Sequence, residues 1–214
     1  MSKVSNSTLG SNGLVAEWPE ALAAQAGLDV QTYTLARVIA SEEGSSPRLH
    51  KVAVGWAVMN EAARKNQTLM TRVTNGSGQY GAQNASTGAR YVSTARDPST
   101  DDVEVARAIL TGREPDPTGG CHRFFAPAAQ DALVASGKAK YTMTADEIIA
   151  KWTKEGQIPV AVAGIDFRKL AFFRWPNGAR WSAPSVPSGI LGVLAAAFVG
   201  AAGAAWFAVR KGWL

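Results

Sequence analysis

Cysteine is all but missing from this chain. Cys121 stands alone among 214 residues, so no intramolecular disulfide framework holds the fold and no thiolate cluster is on hand for zinc. Histidine is nearly as scarce: His50 and His122 are the only two, too few for a histidine-rich metal site. Neither a metal nor a cofactor is expected. The chain shows no repeat at solenoid or propeller periods. The Gly119-Gly120 pair follows a Pro/Thr turn, without the preceding strand or the following Lys-Ser/Thr of a phosphate-binding loop. The basic residues are scattered and form no stripe, so nucleic acid is not an expected partner. What the chain has is apolar: 46% hydrophobic against 18% charged residues, a balance that excludes a wholly disordered protein.

The formal net charge of +5 by itself favours anionic partners such as membrane surfaces, cell-wall polymers or nucleic acid, without choosing among them. Residues 1–13 read as a flexible leader. They carry one lysine with no apolar run behind it, unlike a secretory signal peptide. Residues 14–180 read as the folded body. Residues 181–188 form a Pro/Ser linker, semi-extended by its prolines. A membrane span is expected over 189–209, because Ile190–Val209 is an uncharged apolar run of 20 residues. About 20 helical residues cross a hydrocarbon core of ~30 Å. Trp206 and Trp213 stand where interfacial aromatics sit, and 210–214 is a basic tail. Gly192, Ala196, Gly200 and Ala204 recur every four residues, a small-residue seam compatible with self-association. Arg168, Lys169, Arg174 and Arg180 precede the span while only Arg210 and Lys211 follow it, which favours a cytoplasmic body by the positive-inside rule.

The body reads as mainly α with minor β content. Asp29 caps a helix that ends near Gly44. A second helix runs from about Leu49 to Arg64, with Val52, Trp56, Met59 and Ala63 facing one way. Asn66–Tyr91 carries no long periodicity. Ser99 with Asp102 opens a helix with Val103, Ala106, Ile109 and Leu110 on its buried face and Gly112 after it. Pro127 suits the first turn of a short helix to about Ala135. Thr144 and Glu147 make a capping box ahead of Ile148, Ile149 and Trp152. Val160–Val162 and Leu170–Trp175 are short β-prone stretches.

The informative segment is Arg37–Asn60, RVIASEEGSSPRLHKVAVGWAVMN. Glu42 and Glu43 close an apolar helix and meet Gly44 and Pro47 at once. Adjacent helical residues point about 100° apart, so the two carboxylates do not share a face. Glu43 follows Ala36 and Ile39, Glu42 follows Leu35 and Val38, and periodicity alone leaves the choice between them open. Solvated helix-end carboxylates are the plain alternative. A negative charge at a helix C-terminus is mildly unfavourable, which points away from decoration.

This segment resembles the opening of the spore-cortex-lytic cell wall hydrolases of the SleB type, members of the lysozyme-like superfamily. Laid without gaps, the family's catalytic glutamate falls on Glu42, its turn proline on Pro47, its Val-Ala-Val on Val52–Val54 and its asparagine on Asn60. A second block, ARAILTGREPDPTGGCHRFFAP, resembles the family's helix, glycine-bearing loop and aromatic pair through Gly112, Gly119, Phe124, Phe125 and Pro127. Gly78-Gln79-Tyr80 sits where the family has a Gln-aromatic pair near its cleft. One departure is visible: Ser45 and Ser46 stand where the family has a glycine and a second glutamate.

The resemblance implies a lysozyme-like domain followed by a C-terminal transmembrane helix, and a peptidoglycan lytic transglycosylase that cleaves the MurNAc-GlcNAc bond of glycan strands. Glu42 would be its catalytic acid and then base, with Gln79, Tyr80, Tyr91 and Phe125 against the sugars. A muramidase, hydrolysing the same bond, would want a partner acid, and Asp97, Asp101 and Asp102 are the candidates. Asp101 and Asp102 read more naturally as first-turn helix residues. A non-catalytic glycan-binding or structural virion membrane protein is the other alternative. Cys121 beside His122 supplies two ligand types, not a metal set. The expected location is a membrane with a single C-terminal anchor. An anchor without an export signal fits a phage virion, especially one with a lipid membrane, where the enzyme would open the wall locally during genome entry.

Overall fold

A computed structural model describes residues 20–74, 97–137 and 142–183. The chain divides into two compact units, Met1–Ser182 and Ala183–Leu214, and the first is described here. The expected leader, the 189–209 span, the 210–214 tail and most of the 181–188 linker lie outside the described residues, as do Gln79, Tyr80 and Tyr91. Among the described residues no helix is long and apolar enough to cross a membrane.

The described body is mainly helical with one small sheet. Its elements are α1 (Glu20–Gln25), α2 (Val30–Glu43), α3 (Arg48–Arg64), α4 (Leu69–Thr74), α5 (Thr100–Leu110), β1 (Arg123–Phe125), α6 (Pro127–Ala135), α7 (Ala145–Lys154), β2 (Ile158–Val160) and β3 (Ala171–Arg174). The helix starts follow their local chemistry. The Thr32 N–H donates to Asp29 Oδ1 at 2.9 Å. Ser99 and Asp102 satisfy each other's backbone N–H groups as a capping box, and Thr144 and Glu147 do the same. Pro127 occupies the first turn of α6. After α5, Gly112 takes φ 70°, the left-handed stop that glycine adopts without strain.

Helix α3 is buried on every side from Lys51 to Ala62. Its Val52, Trp56 and Met59 pack against Leu35, Val38 and Ile39 of α2, Leu69 and Val73 of α4, and Val105, Ala106 and Ile109 of α5. Its Ala53, Val54 and Ala57 form a second cluster with Cys121, Val162, Leu170 and Phe172. Small residues permit this: a Cβ at Gly55 would lie 2.5 Å from Ile109 Cδ1. The expected one-sided stripe is therefore only part of the buried surface, because a helix flanked by both helices and sheet has no solvent face. On α5, Val105 and Ala108 are buried and Val103 and Leu110 only partly so, a shift of the buried face from the one expected.

The sheet is antiparallel in the order β1-β3-β2, with Phe124 opposite Phe172 and Pro159 opposite Phe173. Alternation sends Phe124 and Phe172 toward the α3 clusters and Phe125 and Phe173 to the other face, against Trp152 of α7. Strand β1 and helices α1 and α4 were not foreseen from the pattern. The β-prone 160–162 stretch is strand only up to Val160.

Candidate functional site

The carboxylate pair closes α2, whose residues Thr32–Ala40 are buried. Glu42 is half-buried. Glu43 lies beside the first turn of α3: its Oε2 stands 3.7 Å from His50 Nδ1, with side chains 15% and 13% exposed. Gly44 follows as the end of the helix, where the sequence puts it, in right-handed conformation with φ −56° and ψ −28°. Its hydrogen side is what matters, since a Cβ there would meet the Ala40 carbonyl oxygen at 2.4 Å. The chain can thus reverse between Glu43 and Pro47 with α2 and α3 closely packed.

One face of α2 carries a second polar group. Arg37 is 4% exposed, and its Nη1 donates to Tyr33 Oη at 2.9 Å and to Asp97 Oδ1 at 3.1 Å. Burial raises the Tyr33 hydroxyl above its ordinary value, against the lowering effect of Arg37. The other two acids considered as partners also have structural work. Lys51 Nζ lies 2.6 Å from Asp101 Oδ2 and 2.9 Å from Asp102 Oδ1. Hydrogen bonding from Lys51 holds the Asp101 carboxyl below its ordinary value, and Asp102 also caps α5.

Asn60 is fully buried. Its Nδ2 donates to Asp116 Oδ2 and to the Cys121 carbonyl, both at 3.1 Å, and its Oδ1 accepts from the Trp181 N–H at 3.0 Å. Asp116 in turn accepts from Thr118 N–H and Oγ1 and from Gly120 N–H. Asn60, in the last part of α3 and four residues before its end, is therefore a staple for the 116–121 turn. Sequence reasoning missed this, because the partners lie 56 to 121 positions away.

The Cys121–His122 pair is held in its neutral forms. Burial pushes the thiol up to about 12 and the imidazole down to about 4, so neither the thiolate nor the imidazolium forms near neutral pH. His122 stacks on Trp175, with ring centroids 6.3 Å apart. Among the described residues no three His, Cys, Asp or Glu side chains gather as a set that could hold a metal ion. Phe125 belongs to an aromatic cluster, 5.3 Å from Trp152 and 6.1 Å from Phe173 by centroid. Another residue the sequence did not single out is Glu61, 2% exposed, which holds Arg64 at 2.6 Å and Arg72 at 3.3 Å and so ties α3 to α4.

No protein-family model, curated protein or solved structure matches this chain. The functional reading therefore rests on the residues and their geometry.

Proposed function

We propose that the chain is a membrane-anchored peptidoglycan lytic transglycosylase with a lysozyme-like domain, in which Glu42 is first the acid and then the base. The observation that carries the reading is the place of Glu42: half-buried at the last turn of α2, ahead of a tight glycine-bearing turn and the buried helix α3. A general acid to a glycosidic oxygen must be held in a fixed place beside the scissile bond, and the last turn of a helix with a buried body offers such a place.

In this mechanism the Glu42 carboxyl gives its proton to the glycosidic oxygen as the bond to the muramyl C1 breaks and positive charge develops there. The resulting carboxylate then takes the proton of the C6 hydroxyl as O6 bonds to C1. The product is a 1,6-anhydro ring, water is not consumed, and Glu42 ends protonated as it began. Gln79, Tyr80, Tyr91 and Phe125 are the proposed glycan-binding side chains. The anchor is the apolar run 189–209, and a virion membrane of a phage is the proposed location. The hydrolase alternative draws little from Asp97, Asp101 and Asp102, whose carboxylates are held by Arg37 and Lys51.

The test uses the full chain in detergent on purified peptidoglycan, with Glu42→Gln alongside, and mass spectrometry of the released muropeptides. Products one water lighter than hydrolysis products, lost in the variant, are expected. Reducing-end products would make it a muramidase. Absence of products from folded wild-type protein would replace the enzyme reading with that of a glycan-binding or virion-structural protein.

A further inference from the structure

Cations that are scattered along the sequence are gathered by the fold at one end of the sheet. Ile158 of β2 stands directly opposite Arg174 of β3, and opposite residues share a face. Two positions along, Val160 and Phe172 continue that face into the core. Ile158 instead meets solvent: at 40% exposed, it is the exposed large hydrophobic side chain among the described residues. Trp175 follows Arg174, is half-buried, and lies over Gly156, where a Cβ would meet its ring at 3.3 Å. Arg180 crosses the 116–121 turn, since a Cβ at Gly120 would lie 2.7 Å from its Nε. Its neighbour Trp181 is pinned there by the bond from its N–H to Asn60 Oδ1. Asn60 stands one helical turn before Arg64 and Lys65, at the C-terminal end of α3. The positive charges of Arg64, Arg123 and Lys65 reach His122, and those of Arg174 and Arg180 reach Cys121 beside it.

The acids of this neighbourhood are committed. Glu61 holds Arg64 and Arg72, and Glu155 holds Arg123. Asp116 accepts from Asn60, Thr118 and Gly120, and Asp166 from the Arg168 N–H. Lys65, Arg174 and Arg180 have no carboxylate partner among the described residues. Lys65 and Arg180 are exposed and Arg174 is half-buried. Uncompensated cations next to an exposed apolar side chain and an indole match a membrane–water interface, where phosphates meet the cations and apolar groups enter the headgroup layer. A soluble polyanion would use the cations and leave Ile158 without a role. Arg174 and Arg180 also belong to the stretch that leads to the apolar run Ile190–Val209.

We propose that this end of the sheet docks on anionic lipid headgroups, with Lys65, Arg174 and Arg180 on the phosphates and Ile158 and Trp175 in the interface. The proposal rests on the membrane part of the proposed function and is independent of Glu42. It is a second membrane contact, made by the folded body and separate from insertion of the apolar run.

The test places an environment-sensitive fluorophore on Ile158→Cys in the full chain, leaving Cys121, which has no solvent exposure, unlabelled. The protein is added from detergent to vesicles of phosphatidylcholine, with and without phosphatidylglycerol, and the vesicles are floated. A blue shift of the label is expected on the phosphatidylglycerol vesicles and not on phosphatidylcholine alone, and raised salt should reverse it. Lys65→Gln, Arg174→Gln and Arg180→Gln should each lower the ratio of docked to undocked label about fivefold. A shift equal on both lipids, or insensitive to salt and to the substitutions, overturns the proposal. If the arginine variants do not fold, the exposed Lys65→Gln and the salt series decide it alone. A shift as large on lipid-free peptidoglycan would assign the cations to stem-peptide carboxylates and also overturn it. Failure of the anchor reads differently: the chain would then float with phosphatidylglycerol vesicles and not with phosphatidylcholine, its label still shifted.

Discussion

Asn60 offers the most direct check on how the body is held together. Replacing it with alanine removes three hydrogen bonds: two from Nδ2, to Asp116 Oδ2 and the Cys121 carbonyl, and one from the Trp181 N–H to Oδ1. At about 1 kcal/mol each these contribute about 3 kcal/mol. The Cys121 carbonyl belongs to a residue with no solvent exposure, and leaving it unpaired adds about 1–2 kcal/mol. A total of about 4–5 kcal/mol lowers the melting temperature by about 8–20 °C in a chain of this length. Calorimetry reads the stability. Tryptophan fluorescence reads the site, since Trp181 packs edge-on against Trp56 at 5.2 Å. Asn60→Asp should be worse than alanine at pH 7, because a carboxylate cannot donate and faces Asp116. Asp116 raises the folded-state pKa of the introduced acid, so its extra penalty fades on acidification and grows as pH rises through that value. A melt lowered by less than about 2 °C in the alanine variant, or an aspartate variant no worse at pH 7, would refute the staple.

Two further outcomes follow from the buried charges. Burial depresses His122 to about 4, so the unfolded chain takes up a proton below about 6.5 while the folded one does not. Stability should fall by about 2–3 kcal/mol between pH 6.5 and 4 and then level off, and His122→Phe should flatten that limb in a series of thermal melts. Lys51→Met leaves Asp102, 1% exposed, with its charge uncompensated and should cost about 3–5 kcal/mol in urea unfolding. Adding Asp102→Asn should recover part of that loss, and purely additive effects would disprove the coupling.

The parts of this fold written in the sequence are the ones decided by neighbours in the chain. Asp29, the Ser99–Asp102 and Thr144–Glu147 boxes and Pro127 each act within three residues of the helix start they set, and each sits where the pattern put it. The parts not legible are decided at long range. Arg123–Phe125 is a strand because Ala171–Phe173 lies beside it, not because three residues hold a period. Likewise α3 shows little amphipathic signal because helices cover one side and the sheet region the other. Its polar residues, Lys51, Asn60 and Glu61, interrupt the apolar stripe yet are buried, and each is matched by a partner from another element.

The same division runs through the candidate site. Periodicity left Glu42 and Glu43 equivalent, since each continues its own apolar row on α2. The arrival of α3 adds what periodicity lacks: the turn at Gly44 places His50 beside Glu43, 3.7 Å from its carboxylate. That turn depends on a glycine for an unusual reason. Gly44 keeps a conformation open to any residue, and what excludes a side chain is the Ala40 carbonyl in the path of its Cβ. A single missing methyl thus lets the chain reverse directly after the carboxylates. The two acids are kept at the end of a helix with a buried body instead of on a loop, which is the placement that the role proposed for Glu42 calls for.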